Sequence, residues 1–256
     1  MRFDGCVVMI SGAASGFGRR AAVRFSDEGA LVSLADVDAA GLAGAAAEVR
    51  GEVMTALVDV AEEADQARWV AETVERFGRL DIALNNAGIG MPMRTIADTD
   101  AALYDRVMAV NARGVFLAMK HQIPAMRAAG GGAILNTASA AGLVGAGHLA
   151  AYAGAKHAVV GLTRAAADEV ARHNIRVNAI CPSFASTPLF DEMADGFASA
   201  RGGTREDAYA RISGRVPLRR VAEPDEVVTM MLSICDPANT FMTGQAIAVD
   251  GGLSAI

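Results

Sequence analysis

A doubly wound α/β fold, with a parallel sheet of seven strands and helices on both faces, is what this sequence of 256 residues predicts. Three observations carry that expectation. Short apolar runs alternate with longer stretches whose apolar residues recur at helical spacing. The runs are nearly continuous in apolar character, as in strands buried on both faces, and each return to a parallel strand needs a crossover. A glycine-rich turn follows the first run and opens a helix. A chain of this length fits one large α/β domain, so residues 1–256 are expected to form a single domain.

The elements follow in order. "CVVMIS" (6–11) is the first strand, far too short for a signal-peptide core or a membrane span. "SGAASGFG" then leads into a helix over 16–29, "LVSLAD" (31–36) is the second strand, and Asp38 is placed to cap a helix over 39–50. "VMTALVDV" (53–60) is the third strand. In the helix over 62–77, Ala67, Val70, Ala71, Val74 and Phe77 make one apolar stripe, while Glu63, Arg68, Glu72, Glu75 and Arg76 face away. "LDIALNN" (80–86), one long helix over 101–128, "AILNTAS" (133–139), a helix over 152–173 and "IRVNAIC" (175–181) come next. A helix over 223–235 and "AIAVDGG" (246–252) complete the pattern. The weakly periodic region is 183–222; within 183–215, two short helices separated by Gly202 and Gly203 are expected to form a flap over the site.

Bulk composition narrows the function classes. The net charge of -6 is spread along the chain without a basic stripe, which argues against a nucleic acid or an anionic membrane as partner. Cys6, Cys181 and Cys235 are far apart and lack CxxC spacing, so neither a disulfide framework nor a metal site is expected, and a reducing cytoplasm fits. No apolar run reaches the roughly 18 residues of a spanning helix.

The chemistry-bearing residues gather at strand ends. Gly12, Gly16 and Gly18 let backbone approach a pyrophosphate, which the free N–H groups of a helix start can bind. Asp36 ends the second strand, where a carboxylate accepts hydrogen bonds from ribose hydroxyls and repels a 2′-phosphate. No Arg or Lys stands at 35–38, so NAD is favoured over NADP. Asp59, at the end of the third strand, is within reach of adenine. "NNAG" (85–88) closes the fourth strand, and Asn111 is a polar residue among apolar neighbours.

"AYAGAK" (151–156) is the most specific feature. Of 23 Lys and Arg residues all but Lys120 and Lys156 are arginine, and Lys156 follows one of three tyrosines, Tyr152, by four positions. Chance would give about 0.02 such pairs in a chain of this composition. On a helix the two side chains converge. A phenol is a poor base at neutral pH, and a nearby ammonium favours the phenolate, so the pair can exchange a proton with an alcohol or ketone. Ser139, at the end of the fifth strand, can hold a carbonyl oxygen beside the tyrosine.

Together these motifs resemble the short-chain dehydrogenase/reductase family over essentially the whole chain. "SGAASGFG" is similar to its TGxxxGxG loop, "NNAG" to its fourth-strand motif, and "VDGG" (249–252) to its C-terminal strand ending. Asn111, Ser139, Tyr152 and Lys156 fall where its catalytic tetrad lies. The resemblance implies a Rossmann-type fold, Tyr152 as acid/base, Ser139 positioning substrate, Lys156 assisting the tyrosine and binding the nicotinamide ribose, and Asn111 holding a relay water. It also implies cofactor contacts from Gly12, Ser15, Gly16, Phe17, Gly18, Asp36, Asp59, Val60, Asn86, Ala87, Gly88, Pro182, Ser183, Ala185 and Thr187.

The implied reaction is hydride transfer between NAD(H) and a secondary alcohol or ketone. An NADPH-dependent carbonyl reductase and a non-catalytic dinucleotide sensor are the rival readings. Three positions depart from the family pattern: Ser11 for threonine, Phe17 for the commoner isoleucine, and Pro182-Ser183 for Pro-Gly. Ser183 brings a side chain to the nicotinamide end, and His148 is a further candidate substrate contact. Substrate choice is assigned to 90–99, 140–149 and 183–215, which hold no arginine cluster, although Arg94 is within reach of an acidic group; a neutral small molecule is expected. Helices 101–128 and 152–173 place Val110, Phe116, Leu117, Val159, Val160 and Leu162 on more than one side, and the resemblance implies a homotetramer that buries them.

Overall fold

The computed structural model describes residues 1–255, apart from the side chains at 197 and 199–201. Seven parallel strands form one sheet: β1 (Val7–Ser11), β2 (Leu31–Asp36), β3 (Val53–Leu57), β4 (Ile82–Asn85), β5 (Gly132–Thr137), β6 (Ile175–Pro182) and β7 (Ala246–Val249). Their order is β3-β2-β1-β4-β5-β6-β7. The order reverses beside β1, which pairs with β2 on one side and β4 on the other, Val8 lying opposite both Val32 and Ile82. Such a switch point opens a crevice at the carboxyl ends of the strands.

The helices are α1 (Gly16–Asp27), α2 (Ala39–Glu48), α3 (Glu63–Phe77), α4 (Ala101–Met108), α5 (Gly114–Ala129), α6 (Ala150–Val170), α7 (Pro188–Arg201), α8 (Arg205–Ser213) and α9 (Pro224–Cys235). Alternation along β1 divides the core. Val8 and Ile10 join Phe25, Leu34, Val227 and Met231 on the α1/α9 face. Met9 joins Trp69, Met119, Ile134 and Val159 on the α3/α5/α6 face. Each such fully buried side chain contributes about 1.5–3 kcal/mol relative to exposure.

Four expectations are corrected. The third strand stops at Leu57, not at 60, because its partner β2 ends at Asp36; Asp59 then turns the chain by accepting from the Ala61 N–H at 2.9 Å. Likewise β5 pairs only as far as Thr137, and Ser139 lies beyond it, capping a 3-10 turn (Ala140–Gly142). The predicted helix over 101–128 is two helices joined by a π-helical segment, Ala109–Arg113. The buried face of α3 consists of Gln66, Trp69, Val70 and Thr73, with Ala71 exposed. Polar residues lie inside there because Ser33 meets them: Trp69 Nε1 donates to Ser33 Oγ at 2.8 Å, and the Thr73 hydroxyl lies 2.8 Å from the same oxygen.

α7 and α8 are separated by Gly202 and Gly203, both at positive φ, as the sequence predicts. Thr187 caps α7, and Thr204 with Asp207 forms a reciprocal capping box on α8. Among the described residues, no helix is long and apolar enough to cross a membrane, and no cluster of His, Cys, Asp or Glu is placed to hold a metal ion.

Candidate active site

The glycine loop between β1 and α1 is shaped by steric necessity. Gly12 and Gly16 have φ of +65° and +52°, and a Cβ on Gly18 would stand 2.1 Å from the Gly12 carbonyl oxygen. A Cβ on Gly12 would lie 2.8 Å from Cα of Ala87. Asn86 fastens this contact: its Nδ2 donates to the Ser11 and Gly12 carbonyls at 3.1 and 3.2 Å, while the N–H groups of Asn86 and Ala87 donate to Ser11 Oγ. The hydroxyl that Ser11 keeps, where the family pattern has threonine, therefore latches the loop to the "NNAG" turn. Phe17 packs toward the core rather than only over the loop.

A dinucleotide fits what these residues offer. α1 begins at Ser15 with no side-chain cap and no acidic residue in its first turn, so its leading N–H groups and positive dipole end face the crevice. Asp36 is held beside them, accepting from Ala14 N–H at 3.0 Å and Asp38 N–H at 3.1 Å, with lone pairs left for ribose hydroxyls. Arg19 is turned aside into a 2.7 Å ion pair with Glu48. Thr187 lies across the loop, its Cβ 3.7 Å from where a Gly16 Cβ would stand. Ala185 is held by a bridge to Ala222, Pro182 ends β6, and the Ser183 N–H donates to the Val249 carbonyl at 3.3 Å. Asp59 is exposed and Val60 half-buried at the far lip.

Asn111, Ser139, Tyr152 and Lys156 are brought together at the carboxyl edge. Lys156, on α6, is 4% exposed; its Nζ donates to the Thr137 carbonyl at 2.8 Å and lies 5.7 Å from the centre of the Tyr152 ring. A Cβ on Gly88 would be 2.9 Å from Asn111 Oδ1 and 3.5 Å from Lys156 Nζ, so these groups converge on the "NNAG" turn. Asn111 is clamped to Ile89, accepting from its N–H and donating to its carbonyl, both at 2.8 Å. Ser139 Oγ accepts from the Ala141 N–H at 3.2 Å and donates to the Pro182 carbonyl at 3.4 Å.

The electrostatics differ from the expectation of a lowered tyrosine pKa. Burial pushes the Tyr152 hydroxyl above its ordinary value, and the neighbouring Ser139 hydroxyl opposes that rise. Burial also pushes Lys156 down to about 8. The ammonium is held by a carbonyl rather than by the phenol, and this arrangement leaves Tyr152 a neutral hydroxyl at neutral pH.

The substrate side is more open. His148 is exposed at φ +66°, and its carbonyl accepts from the Arg94 N–H, joining loops 143–149 and 90–99. Arg94 faces Asp100 at 3.6 Å instead of standing free for an acidic substrate. Leu189 of α7 lies over Gly90, its Cδ1 3.1 Å from the position of a Cβ there. Leu189, Val144 and Ile96 are exposed apolar side chains on the segments assigned to the substrate. The Phe190 ring of α7 packs tilted against Phe184 and in a T-shaped arrangement against Tyr209 of α8, with centroids 5.6 and 4.6 Å apart, and the Tyr209 hydroxyl donates to Asp191 at 2.6 Å.

Sequence reading missed a buried polar chain directly under the site. Asn85 donates to Gln122 and Asn136 at 3.1 and 2.9 Å, Gln122 returns a bond to Asn85 at 2.9 Å, and Asn136 donates to Thr163 at 2.9 Å. Polar residues within otherwise apolar strands and helices were the available signal.

Dinucleotide-binding oxidoreductases are the class of protein defined by this crevice, its bare helix start and the Tyr-Lys pair. The comparisons agree: residues 12–254 match a family model described as enoyl-(acyl carrier protein) reductase. Levodione reductase from Leifsonia aquatica is 37% identical over 259 residues, 99% of this chain and 96% of that one. A crystal structure of levodione reductase matches at TM-score 0.95 and 37% identity, covering 99% of both chains. A 2,5-dichloro-2,5-cyclohexadiene-1,4-diol dehydrogenase from Sphingobium indicum is 39% identical over 255 residues, 99% of this chain and 98% of the relative. An NAD+-bound xylitol dehydrogenase structure matches at TM-score 0.94 and 30% identity, covering 98% of this chain and all of that one, 100%. The chain belongs to the short-chain dehydrogenase/reductase family.

Proposed function

We propose that this protein is an NAD-dependent dehydrogenase of a neutral, alicyclic secondary alcohol, acting reversibly on the corresponding ketone. The observation that carries the reaction class is the convergence of Asn111, Ser139, Tyr152 and Lys156 beside an uncapped helix start. Ser139 Oγ holds the substrate oxygen, and Tyr152 takes its proton. The base is the Tyr152 phenolate, which the neighbouring Lys156 ammonium stabilises once the phenol has lost its own proton; taking the alcohol's proton returns it to a neutral phenol. Asn111, clamped to Ile89, keeps the turn beside Lys156 in place and opens a path for the proton toward solvent. When bound, NAD supplies the acceptor for the substrate's hydride.

Asp36, with Arg19 turned away to Glu48, supports NAD over NADP. Leu189, Val144 and Ile96 at the mouth, and a relative whose name specifies a cyclohexadiene diol, support an apolar ring over an acidic or long-chain substrate. Ser183 and His148 are proposed to touch the substrate at the nicotinamide end and at the lip respectively. We also propose a cytoplasmic homotetramer. The surface available to it is narrower than the sequence suggests: Leu117, Val159 and Val160 are buried within the chain, whereas Phe116 and Tyr104 stay 49% and 48% exposed on α5 and α4. Sedimentation tests that state, and a monomer overturns it.

A panel of cyclic and linear secondary alcohols with NAD and NADP decides the main reading. Cyclic alcohols with NAD are expected to turn over fastest, and Asp36→Ala is expected to reduce the NAD-to-NADP preference about 10- to 100-fold through loss of charged hydrogen bonds. No turnover of any secondary alcohol or ketone would refute the enzyme. The raised Tyr152 pKa sets a pH dependence: the base form is populated as pH rises, so oxidation accelerates above neutrality. A flat rate between pH 6 and 10 would rule out Tyr152 as base.

A further inference from the structure

Gln66 is an anomaly of the buried face of α3. It is 1% exposed among Trp69, Val70 and Thr73, yet it carries an amide. Its Nε2 donates to two carbonyls that belong to different parts of the crevice: Val60 at 3.3 Å and Gly114 at 3.4 Å. Val60 lies in the turn after β3, at the adenine lip. Gly114 is the first residue after the π-helical segment that carries Asn111, and its N–H closes that segment by donating to the Ala109 carbonyl.

The two parts touch directly as well. A Cβ on Gly114 would come within 3.0 Å of Val60 Cγ2 and 3.1 Å of its carbonyl oxygen, so glycine lets the π-helical segment seat against the lip more closely than a larger residue could without the lip giving way. The Arg113 guanidinium donates to the Ala61 carbonyl. Further along, Glu63 on α3 takes Lys120 and His121 from α5. A π-helical turn is a poor minimum by itself and persists where its surroundings hold it. Asn111 is thus held from one side by Ile89, while the segment carrying it is held from the other side by Gln66 and Arg113.

Gln66 is also poorly satisfied as a purely structural residue. Its Oε1 is buried without a protein partner and borders a cavity of about 10 Å³ lined by Ser11, Val60, Asn85 and Val110 among others. Burying that oxygen is a cost with no bond in return, so what the amide contributes is its pair of bonds from Nε2. Those two bonds join separate parts of the crevice, the turn at Val60 and the end of the π-helical segment at Gly114.

We propose that Gln66 is a positioning residue: it locks the adenine lip at Val60 to the π-helical segment that presents Asn111, so that cofactor seating and the geometry of the proton path are set together. This rests on the dehydrogenase reading above. Gln66→Met keeps the shape and removes both bonds. Its melting temperature is expected to fall by about 2–12 °C, the cost of leaving the Val60 and Gly114 carbonyls without this donor, and the functional readouts are therefore taken at 20 °C, where the variant is folded. NAD affinity, measured by calorimetry without substrate, is expected to fall about 3- to 10-fold, the worth of one to two neutral hydrogen bonds. With the best alcohol of the panel, kcat is expected to fall about 3-fold or more while the alcohol KM holds.

Arg113→Met, at an exposed side chain whose loss does not threaten folding, is expected to move NAD affinity in the same direction by a smaller factor. Unchanged NAD affinity and kcat in both variants would overturn the proposal, as would a loss in Gln66→Met confined to melting temperature. Failure of the dehydrogenase reading looks different: the parent protein itself turns nothing over, while the calorimetric comparison of NAD binding still decides whether Gln66 holds the lip.

Discussion

Two polar groupings share β4, β5 and α6, and they are built on opposite terms. The lower one, Asn85–Gln122–Asn136–Thr163, is neutral and mutually hydrogen-bonded, each member at most 1–3% exposed and bonded at 2.9–3.1 Å. The upper one holds Tyr152 and Lys156, whose pKa values burial displaces, Lys156 to about 8. Thr163 and Lys156 stand two turns apart on α6, so the neutral grouping anchors the helix that presents the reactive one. A satisfied amide network ties elements together at little electrostatic cost, whereas a buried ammonium is kept in spite of its cost. Stability and chemistry are thus divided between neighbouring layers of one core.

The largest test of that division is Tyr152→Phe. Removing the hydroxyl proposed to transfer the proton is expected to lower kcat about 10³-fold, roughly 4 kcal/mol of barrier, with a melting temperature within about 2 °C of the parent. Substantial residual activity, above one tenth, would mean that another group moves the proton. The converse test is Asn136→Ala, which takes one buried hydrogen-bond partner each from Asn85 and Thr163. It is expected to cost about 3 kcal/mol of stability, or about 6–12 °C at this chain length, with kcat at 20 °C changed less than about 3-fold. If its kcat fell as far as that of Tyr152→Phe, the two layers would not be separate in function.

How each layer shows in the sequence differs too. The reactive layer was legible because its parts are local patterns: a glycine turn after an apolar run, and a tyrosine and lysine four positions apart on a predicted helix. The supporting layer was not, because Asn85, Gln122, Asn136 and Thr163 become partners only through the strand order, with separations of 27 to 51 positions. The same holds for α3. Its stripe was misplaced because Gln66 and Thr73 count as surface residues until Gly114, Val60 and Ser33 are brought opposite them. The π-helical segment 109–113 carries no glycine or proline to announce it; the clamp between Asn111 and Ile89, 22 positions away, accompanies it. The expectation that Lys156 lowers the tyrosine pKa rests on helical spacing and on the family resemblance, and neither shows the Thr137 carbonyl that holds the ammonium.

The smallest and most discriminating test isolates the cost of that ammonium. The folded-state pKa of Lys156 is about 8, against 10.5 for an unperturbed lysine. Below pH 8 both folded and unfolded chains are protonated here, and the folded state bears the whole penalty of burying the charge. Between about pH 8 and 10.5 the unfolded chain binds a proton that the folded chain does not, so this residue's contribution makes stability rise with pH. Lys156→Met has no such dependence. It is expected to be more stable than the parent at pH 7 by about 1–3 kcal/mol, less what is lost by leaving the Thr137 carbonyl without its donor. That difference should shrink steadily toward pH 10. Urea titrations at pH 7, 8.5 and 10 measure it, and dehydrogenase activity is expected to be lost in the variant throughout. A variant less stable than the parent at every pH would show that the bond to Thr137 outweighs the buried charge, placing Lys156 with the supporting layer instead of the reactive one.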